Sequence, residues 1–292
     1  MEYKLQKGPC TAVVDTRGGE LVSFRDGAGT EYIWGGDPAY WAGRNPILFP
    51  VVGALKDGKV RINGRDYEMG RHGFARRCEF SPAAQGDGFV ELELRDSPDT
   101  LAQFPYPFLL RVRHEVMENG FATTFVVENP GSQPLPFCIG AHTGFRCPIH
   151  GGETFDDYQL VFDHPEDAIP LCPTGMGLLD RAHTGPALRG SGIPLTHQPF
   201  DALDTLIFQG LRSTGVALLH KETGHGVHMD FRGFPMVAFW TPPKKDAPFL
   251  CLEPWHGCAA YVDEDGEFTH KPNCVILQPG EKKSLTYTVT LR

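Results

Sequence analysis

Residues 89–94 read Phe-Val-Glu-Leu-Glu-Leu and alternate apolar with acidic side chains. Successive side chains of a β-strand point to opposite faces, so a period of two indicates a strand with one buried and one solvated face. The same period recurs at residues 110–113, 121–127 and 285–291. These four stretches predict that β-strands dominate the fold.

Turn-forming residues lie between the alternating runs. Asn63-Gly64 separates residues 60–62 from 65–67, Asn119-Gly120 separates Val116 from Phe121, and Glu222-Thr223-Gly224 separates residues 216–220 from 227–231. Asn and Gly supply the positive φ angles that tight turns between antiparallel strands need. The sequence therefore predicts a series of antiparallel hairpins.

Helical signals are few. Residues Ser97–Ala102 predict one or two capped turns with Pro98 at the first helical position, and no amphipathic segment is long enough for a crossover helix. Residues 163–199 are rich in Gly and Pro, and we interpret them as a long excursion over the surface. Because similar strands flank this segment, we expect an all-β fold with a single domain over residues 1–292.

The composition excludes several classes of partner. The formal net charge is -9, and an acidic surface repels nucleic-acid phosphates and anionic lipids, so neither nucleic acid nor membrane is expected. The N-terminus lacks a signal segment, no window resembles a membrane span, and we expect a cytoplasmic location. The eight cysteines contain no C-x-x-C pair, which favours reduced thiols over a disulfide framework or zinc ligands. The sequence leaves the oligomeric state unknown.

Four stretches place ionisable residues among apolar or aromatic ones. They are Gly-Arg-Asn-Pro-Ile-Leu-Phe-Pro at 43–50, Arg-His-Gly-Phe-Ala-Arg at 71–76, Ile-Gly-Ala-His-Thr-Gly-Phe at 139–145 and Phe-Leu-Cys-Leu-Glu-Pro-Trp-His-Gly at 249–257. Glu253 ends an apolar strand beside Trp255, where desolvation would raise its pKa and make it a usable base. The alternative is a strand-end carboxylate paired with an arginine.

The remaining ionisable residues also allow two interpretations each. His142 lies between Gly140 and Gly144, which permit close approach of a ligand, but it could equally be a hydrogen-bonded core histidine. His72 could bind a ligand or cap a carbonyl in a surface loop. Arg44 could face a ligand or pair with a surface carboxylate.

Together the four stretches resemble one family. In order they match the patterns R-N-P-x-L-F-P, H-G-F-A-R, G-x-H-x-x-F and L-E-P-W-x-G of the aldose 1-epimerases, in particular the bacterial LacX-like branch. The resemblance runs from residues 18–21 to the last strand. It implies a large antiparallel β-sandwich of the galactose mutarotase type with few short helices, and a sugar site on an open, concave face.

The resemblance also implies an activity, the interconversion of the α and β anomers of a hexose, and a role for each matched residue. Glu253 would be the general base on the anomeric hydroxyl, and His142 the general acid on the ring oxygen. Arg44 and His72 would hold hydroxyls and developing charge, and Asp204 would grip two hydroxyls, although Asp201 lies nearby. Further candidate substrate contacts are Arg71, Arg76 and Trp255.

The chemistry needs an acid and a base on either side of the anomeric carbon, because one proton leaves an oxygen while another arrives at its neighbour. We therefore expect a working state with Glu253 ionised and His142 protonated, each favoured by attraction to the other. No metal or organic cofactor is needed.

Arg71 departs from the family pattern, which commonly has a neutral amide there. With Arg44, Arg76 and Arg77 it makes this region basic, which raises the possibility of a hexose-6-phosphate 1-epimerase; the alternative is a solvated loop charge. The sequence is also compatible with a non-catalytic carbohydrate-binding protein on the same scaffold, and with a glycoside hydrolase or lyase in which Asp204 supplies a second carboxylate.

Overall fold

Twenty-four β-strands and two short α-helices make up the secondary structure of the computed structural model, which describes residues Met1–Arg292. The helices are α1 (Pro98–Gln103) and α2 (Gln198–Leu203), and four single 3-10 turns lie at Lys56–Gly58, Ala75–Arg77, Phe155–Asp157 and Phe268–His270. The strands are β1 (Glu2–Lys7), β2 (Cys10–Asp15), β3 (Glu20–Arg25), β4 (Ile47–Leu48), β5 (Lys59–Ile62), β6 (Arg65–Glu68), β7 (Ser81–Gly86), β8 (Phe89–Arg95), β9 (Leu109–Met117), β10 (Gly120–Glu128), β11 (Leu135–Phe137), β12 (Ile139–Ala141), β13 (Thr143–Arg146), β14 (Tyr158–Ala168), β15 (Leu171–Pro173), β16 (Leu179–Thr184), β17 (Leu188–Pro194), β18 (Thr205–Gln209), β19 (Gly215–His220), β20 (Gly226–Asp230), β21 (Met236–Trp240), β22 (Phe249–His256), β23 (Val275–Leu277) and β24 (Lys282–Leu291).

Two large antiparallel sheets contain most of these strands. The nine-stranded sheet has the order β17-β14-β19-β20-β24-β10-β9-β8-β7. The eight-stranded sheet has the order β16-β15-β18-β21-β22-β12-β4, with β13 also paired to β22. Three smaller sheets, β1-β2-β3, β5-β6 and β11-β23, complete the fold.

The two large sheets pack against each other through aromatic side chains. Phe162 of the nine-stranded sheet lies 5.8 Å from Phe208 and 5.9 Å from Phe239 of the eight-stranded sheet, measured between ring centroids. One continuous apolar core contains side chains from Leu5 to Val289. This continuity is the reason why we retain the interpretation of a single domain.

The two sheets differ in how they are buried. β9 and β10 of the nine-stranded sheet alternate buried and half-buried residues, so one face of this sheet meets solvent. In the eight-stranded sheet, seven consecutive residues of β22 are buried, from Phe249 to Trp255. A charged residue in β22 is therefore out of contact with bulk water.

The prediction of an antiparallel all-β fold with few short helices is confirmed. Asn63-Gly64 joins β5 to β6, and Asn119 and Gly120 lie at the turn between β9 and β10, as predicted. Ser97 caps α1 through its side chain, and Pro98 is the first helical residue. No helix of the protein combines the length and the apolar character needed to cross a membrane.

The interpretation of residues 163–199 as a surface excursion is wrong. This segment forms the end of β14 together with β15, β16 and β17, and it supplies an edge strand to each large sheet. Edge strands tolerate Gly and Pro because one side of their backbone needs no ladder partner. Their Gly- and Pro-rich composition therefore conceals strands rather than a loop.

Candidate active site

Strand pairing brings His142 and Glu253 together. β12 and β13 both pair with β22, in one register that sets Gly140 against Trp255 and Thr143 against Leu252. His142 is the residue between β12 and β13, so the same register places it opposite Glu253. Its Nε2 lies 3.4 Å from Oε2 of Glu253. Two residues more than a hundred positions apart thus meet on adjacent strands.

Both side chains are enclosed. The Glu253 side chain is 1% exposed and that of His142 is 10% exposed. The Trp41 ring stacks on the imidazole with centroids 4.8 Å apart, and the Trp240 ring meets it edge-on at 5.3 Å. The aromatic rings therefore fix the plane of the imidazole.

Polar atoms of this group have no partner in the protein. Nδ1 of His142, Oε2 of Glu253 and Nε1 of Trp255 are buried and accept or donate no hydrogen bond. Most buried polar atoms in folded proteins are hydrogen-bonded, because an unpaired one costs about 1–3 kcal/mol. Three such atoms around one point are what a site for a polar ligand requires.

Burial changes the protonation of the pair. It raises the pKa of Glu253 well above its ordinary value. The nearby indole N–H of Trp255 lowers this pKa somewhat, although it does not reach hydrogen-bond geometry, and the negative charge of Asp204 raises it further. Burial lowers the pKa of His142 to about 3, and the positive charge of Arg76 adds to that effect. The buried pair therefore favours a protonated, neutral Glu253 carboxyl group beside a neutral His142 imidazole.

The protonation of the empty site differs from the expected working state. We expected mutual attraction to favour ionised Glu253 and protonated His142, but desolvation of both groups outweighs that attraction. The neutral pair is the form that the enclosed environment favours.

His72 forms a second wall of the site. It has a positive φ of 63°, and its Nδ1 accepts a 3.0 Å hydrogen bond from the backbone N–H of Gly53. In the neutral imidazole the proton then lies on Nε2, which is free to donate to a ligand oxygen. Burial keeps the pKa of His72 well below its ordinary value, and the neighbouring His142, Arg76 and Arg71 lower it further.

Asp204 lies directly after α2 and lines the same cavity. Its φ of 66° turns the chain at the helix end, and its Oδ1 accepts a 3.1 Å hydrogen bond from the Thr205 hydroxyl. Asp201, the competing candidate, instead accepts a hydrogen bond from the backbone N–H of Lys244 and does not line the cavity. Of the two carboxylates, only Asp204 can contact a ligand there.

Arg71 and Arg76 also line the cavity. Arg76 donates from Nη2 to the backbone carbonyl of Arg71 at 2.9 Å. Neither guanidinium lies within 4 Å of a carboxylate. Two unpaired arginines in an acidic protein give this mouth of the cavity a local positive charge.

The prediction that Arg44 stands in the cavity wall is wrong, because Arg44 does not line the cavity. Its Nε instead donates to the carbonyl of Gly35 at 3.1 Å. The backbone N–H groups of Arg44 and Asn45 both donate to the Glu20 carboxylate, and Asn45 accepts a 2.7 Å hydrogen bond from the hydroxyl of Thr143. The Arg-Asn-Pro segment therefore supports the strand after His142.

Tryptophan is the signal that the sequence analysis missed. The chain has four tryptophans: Trp41, Trp240 and Trp255 line the cavity, and Trp34 stacks on Phe249 behind it. Only Trp255 was singled out from the sequence. The concentration of a rare, large aromatic residue at one place could have identified this site, since aromatic faces are suited to the apolar face of a sugar ring.

The cavity has a volume of about 240 Å³. Sites for drug-sized ligands usually measure about 300–1,000 Å³, so this one suits a single sugar ring rather than a chain of sugars. The floor of the cavity holds Glu253 and His142, and its walls include His72 and Asp204.

One group of residues has the composition of a metal site. The potential ligand atoms of His142, Cys251 and Glu253 lie within 4.8 Å of one another. Burial raises the pKa of Cys251 well above its ordinary value, which keeps the thiol protonated. Because metals bind the thiolate, this group is poorly suited to hold one.

Comparison with known proteins places the chain in a family. The aldose 1-epimerase family model matches residues 1–290. The chromosomal protein LacX of Lactococcus lactis is 32% identical, over 100% of this chain and 99% of its own length.

Two solved structures have the same fold over their whole length. A galactose mutarotase related enzyme from Lactobacillus acidophilus has a TM-score of 0.94 at 29% identity, covering 100% of this chain and 97% of its own. A galactose mutarotase-like protein from Lactobacillus casei has a TM-score of 0.91 at 28% identity and covers 100% of both chains. The chain therefore belongs to the aldose 1-epimerase family.

Proposed function

We propose that Glu253 and His142 are the catalytic base and acid with which this isomerase interconverts the α and β anomers of a hexose. The observation that supports the proposal most is that His142 and Glu253 are in contact on the cavity floor, while Nδ1 of His142 and Oε2 of Glu253 have no hydrogen-bond partner in the protein. A structural acid and imidazole at this depth would have their hydrogen bonds satisfied by the protein. Here their free atoms are available to the ring oxygen and the anomeric hydroxyl of a sugar.

The reaction needs two proton transfers. Glu253 removes the proton from the anomeric hydroxyl while His142 protonates the ring oxygen, and the C1–O5 bond opens. The free aldehyde rotates about C1–C2 and recloses on its other face, with both transfers reversed. The neutral pair of the empty site has the same protonation as the pair in the ring-opened state. Ring opening therefore requires one proton to move from Glu253 to His142 first, and the 3.4 Å contact allows a direct transfer.

The walls of the cavity position the sugar. The carboxylate of Asp204 accepts hydrogen bonds from two hydroxyls, and His72 donates from Nε2, since its Nδ1 is occupied by Gly53. Trp255 donates from its unpaired Nε1, and Trp41 and Trp240 cover the apolar ring face. We assign Arg44 no contact with the sugar, because it does not line the cavity and its Nε donates to the carbonyl of Gly35.

A neutral hexose is the substrate class that we favour, and a phosphorylated hexose is the second candidate. The second candidate is supported by the position of Arg71 and Arg76, which line one cavity without a carboxylate partner. Arg71 is exposed, and exposed charges contribute about 1 kcal/mol or less. An exposed charge of this kind is a weak determinant of phosphate binding, so the neutral sugar remains the first choice.

Polarimetry on freshly dissolved α-glucose and α-galactose tests the proposal. The protein should accelerate the approach to the equilibrium rotation in proportion to its concentration, and Glu253→Gln should not. Binding of sugar without any acceleration would instead identify a carbohydrate-binding protein. Release of a reducing sugar from an aryl glycoside would identify a hydrolase that uses Glu253 with Asp204.

We further propose that the protein acts in the cytosol, with its eight cysteines, all free here, as thiols.

A further inference from the structure

Two cysteines lie opposite each other beneath the strand that leads to His142. β11 and β23 pair antiparallel, with Leu135 against Leu277 and Phe137 against Val275. One step further in the same register sets Cys138 against Cys274. Residues directly opposite in an antiparallel pair have their side chains on the same face of the ladder.

The β11–β23 ladder ends directly before this pair of cysteines. Its last pair is Phe137 with Val275, and the N–H groups of Cys138 and Cys274 donate elsewhere, to Pro50 at 2.7 Å and to Lys271 at 3.1 Å. Opposite residues of an antiparallel ladder have Cα atoms about 4.5–5.5 Å apart. A disulfide accepts Cα separations of about 4.4–6.8 Å, so a pair of cysteines at the end of such a ladder is within its reach.

The residues around the two cysteines leave room for contact between their sulfur atoms. A Cβ on Gly257 would lie 2.4 Å from Sγ of Cys138, so the absence of a side chain at position 257 makes room for this thiol. The Cys274 thiol is the largest influence on Cys138, whose pKa it raises together with burial. Cys138 is fully buried, whereas Cys274 is half-buried and reachable from solvent.

We propose that Cys138 and Cys274 form an oxidisable dithiol site, which a hydroperoxide converts to a disulfide. The accessible Cys274 sulfur attacks the outer peroxide oxygen, the O–O bond breaks, and the thiol proton passes to the departing alkoxide. The Cys138 sulfur then attacks the sulfenic sulfur of Cys274, and the displaced hydroxide takes up the Cys138 proton. Two thiols and one hydroperoxide thus give one disulfide, one alcohol and one water.

The disulfide would restrain the strands below the active site. Cys138 directly precedes β12, which leads to His142. Cys274 follows Asn273, whose carbonyl lies 2.8 Å from Nδ1 of His256 at the end of β22. The bond would also close a loop of roughly 140 residues, which raises stability mainly by restricting the unfolded chain. Oxidation should therefore make the protein harder to unfold.

The test uses the full-length protein with hydrogen peroxide as the oxidant, followed by alkylation and peptide mass spectrometry. Wild type should lose two of its eight free thiols and yield one cross-linked peptide pair, Cys138–Cys274. Its Tm should rise by roughly 5 °C and return to the starting value with dithiothreitol.

Two serine variants make the test specific. In Cys274→Ser, a substitution at a half-buried position, no disulfide should form, and oxidation should not raise the Tm. Cys258→Ser is the matched control, because Cys258 is buried close enough to Cys138 for that thiol to help raise the pKa of Cys258, but it lies outside the β11–β23 register. It should behave like wild type. A Cys138–Cys258 cross-link, or overoxidation of Cys274 while Cys138 stays free, would overturn the proposal.

Discussion

Each large sheet contains a buried carboxylate, and the two have opposite environments. Glu166 in the nine-stranded sheet is 6% exposed and accepts hydrogen bonds from the backbone N–H groups of Arg212 at 3.1 Å and Ser213 at 2.7 Å. Glu253 in the eight-stranded sheet is 1% exposed, and its Oε2 has no hydrogen-bond partner. Burial alone would raise the pKa of both, but the hydrogen bonds from Ser213 and Arg212 lower that of Glu166.

Two buried histidines repeat the contrast. His114 in the nine-stranded sheet contacts the Thr123 hydroxyl through Nδ1 at 3.0 Å and the Gly19 carbonyl through Nε2 at 2.8 Å. His142 has a free Nδ1 and only the 3.4 Å contact to Glu253 at Nε2. Burial lowers the pKa of both, to about 4 for His114 and about 3 for His142. Depth and pKa alone thus fail to separate a structural residue from a catalytic one, whereas hydrogen-bond satisfaction separates them.

The sharpest way to test this contrast is to replace each carboxylate by its amide. Glu253→Gln should keep the fold and lower kcat by about 10²- to 10⁴-fold, because an amide preserves shape but cannot accept the proton. Glu166→Gln should leave kcat unchanged and lower Tm. The measurements are polarimetric kcat and thermal unfolding of both variants. A folded Glu253→Gln protein with near wild-type kcat would remove Glu253 from the base role.

The histidines give the next largest effect. His142→Gln should lower kcat by about 10²-fold or more, since the ring oxygen loses its acid. His114→Gln should leave kcat within about twofold but cost about 1–3 kcal/mol of unfolding free energy, because Thr123 or Gly19 loses a buried partner. Equal kcat losses in the two variants would show that the contrast does not report on catalysis.

The two sheets also differ in how much of each the sequence predicts. In the nine-stranded sheet, residues 89–94, 110–113, 121–127 and 285–291 alternate because one face meets water, and all four stretches are strands there. β22 and β21 are buried on both faces, so no alternation marks them. β22 was recognised only through the motif that contains Glu253, and β21 was not recognised from the sequence. The edge strands β16 and β17 were missed, together with the short β15 beside β16, because edge strands tolerate Gly and Pro.

Within the site, the motif residues Glu253, His142 and His72, together with Asp204, meet in one cavity as expected, whereas Arg44 does not. A motif fixes which residues are present but not where a long, flexible side chain points. Arg44 has a carbonyl of Gly35 within reach, and its guanidinium binds there. The protonation of the His142–Glu253 pair in the empty site could not be predicted from the sequence either, because desolvation depends on how the folded chain encloses both groups, for example through Trp41 and Trp240.

The stabilities of the two amide variants should respond to pH with opposite signs. The raised pKa of Glu253 means that the folded state binds a proton which the unfolded state releases above about pH 4.3, so this residue lowers stability as the pH rises. Glu253→Gln should therefore raise Tm by a few degrees at pH 7, and the gain should disappear near pH 4.

The lowered pKa of Glu166 stabilises the fold above about pH 4.3, and this contribution is lost as the pH falls through the folded pKa. Glu166→Gln should therefore lower Tm at pH 7 and have less effect in acid. Thermal unfolding between about pH 2 and pH 8 measures both, and a Tm loss for Glu253→Gln at pH 7 would contradict the raised pKa.

The smallest expected effect concerns Arg71, and it separates the two candidate substrates. Arg71→Gln should change kcat/KM for glucose by less than about threefold, because an exposed arginine contributes about 1 kcal/mol or less. Arg189→Gln is a charge-matched control, since it removes an exposed arginine of the nine-stranded sheet that pairs with Asp167.

We expect kcat/KM to be higher for glucose and galactose than for glucose 6-phosphate. Firm selection for phosphate would use two convergent guanidinium groups, and one hydrogen-bonding arm of Arg76 is already bound to the carbonyl of Arg71. A preference of tenfold or more for the phosphate, weakened by salt and abolished by Arg71→Gln but not by Arg189→Gln, would instead show that the cavity mouth is a phosphate site.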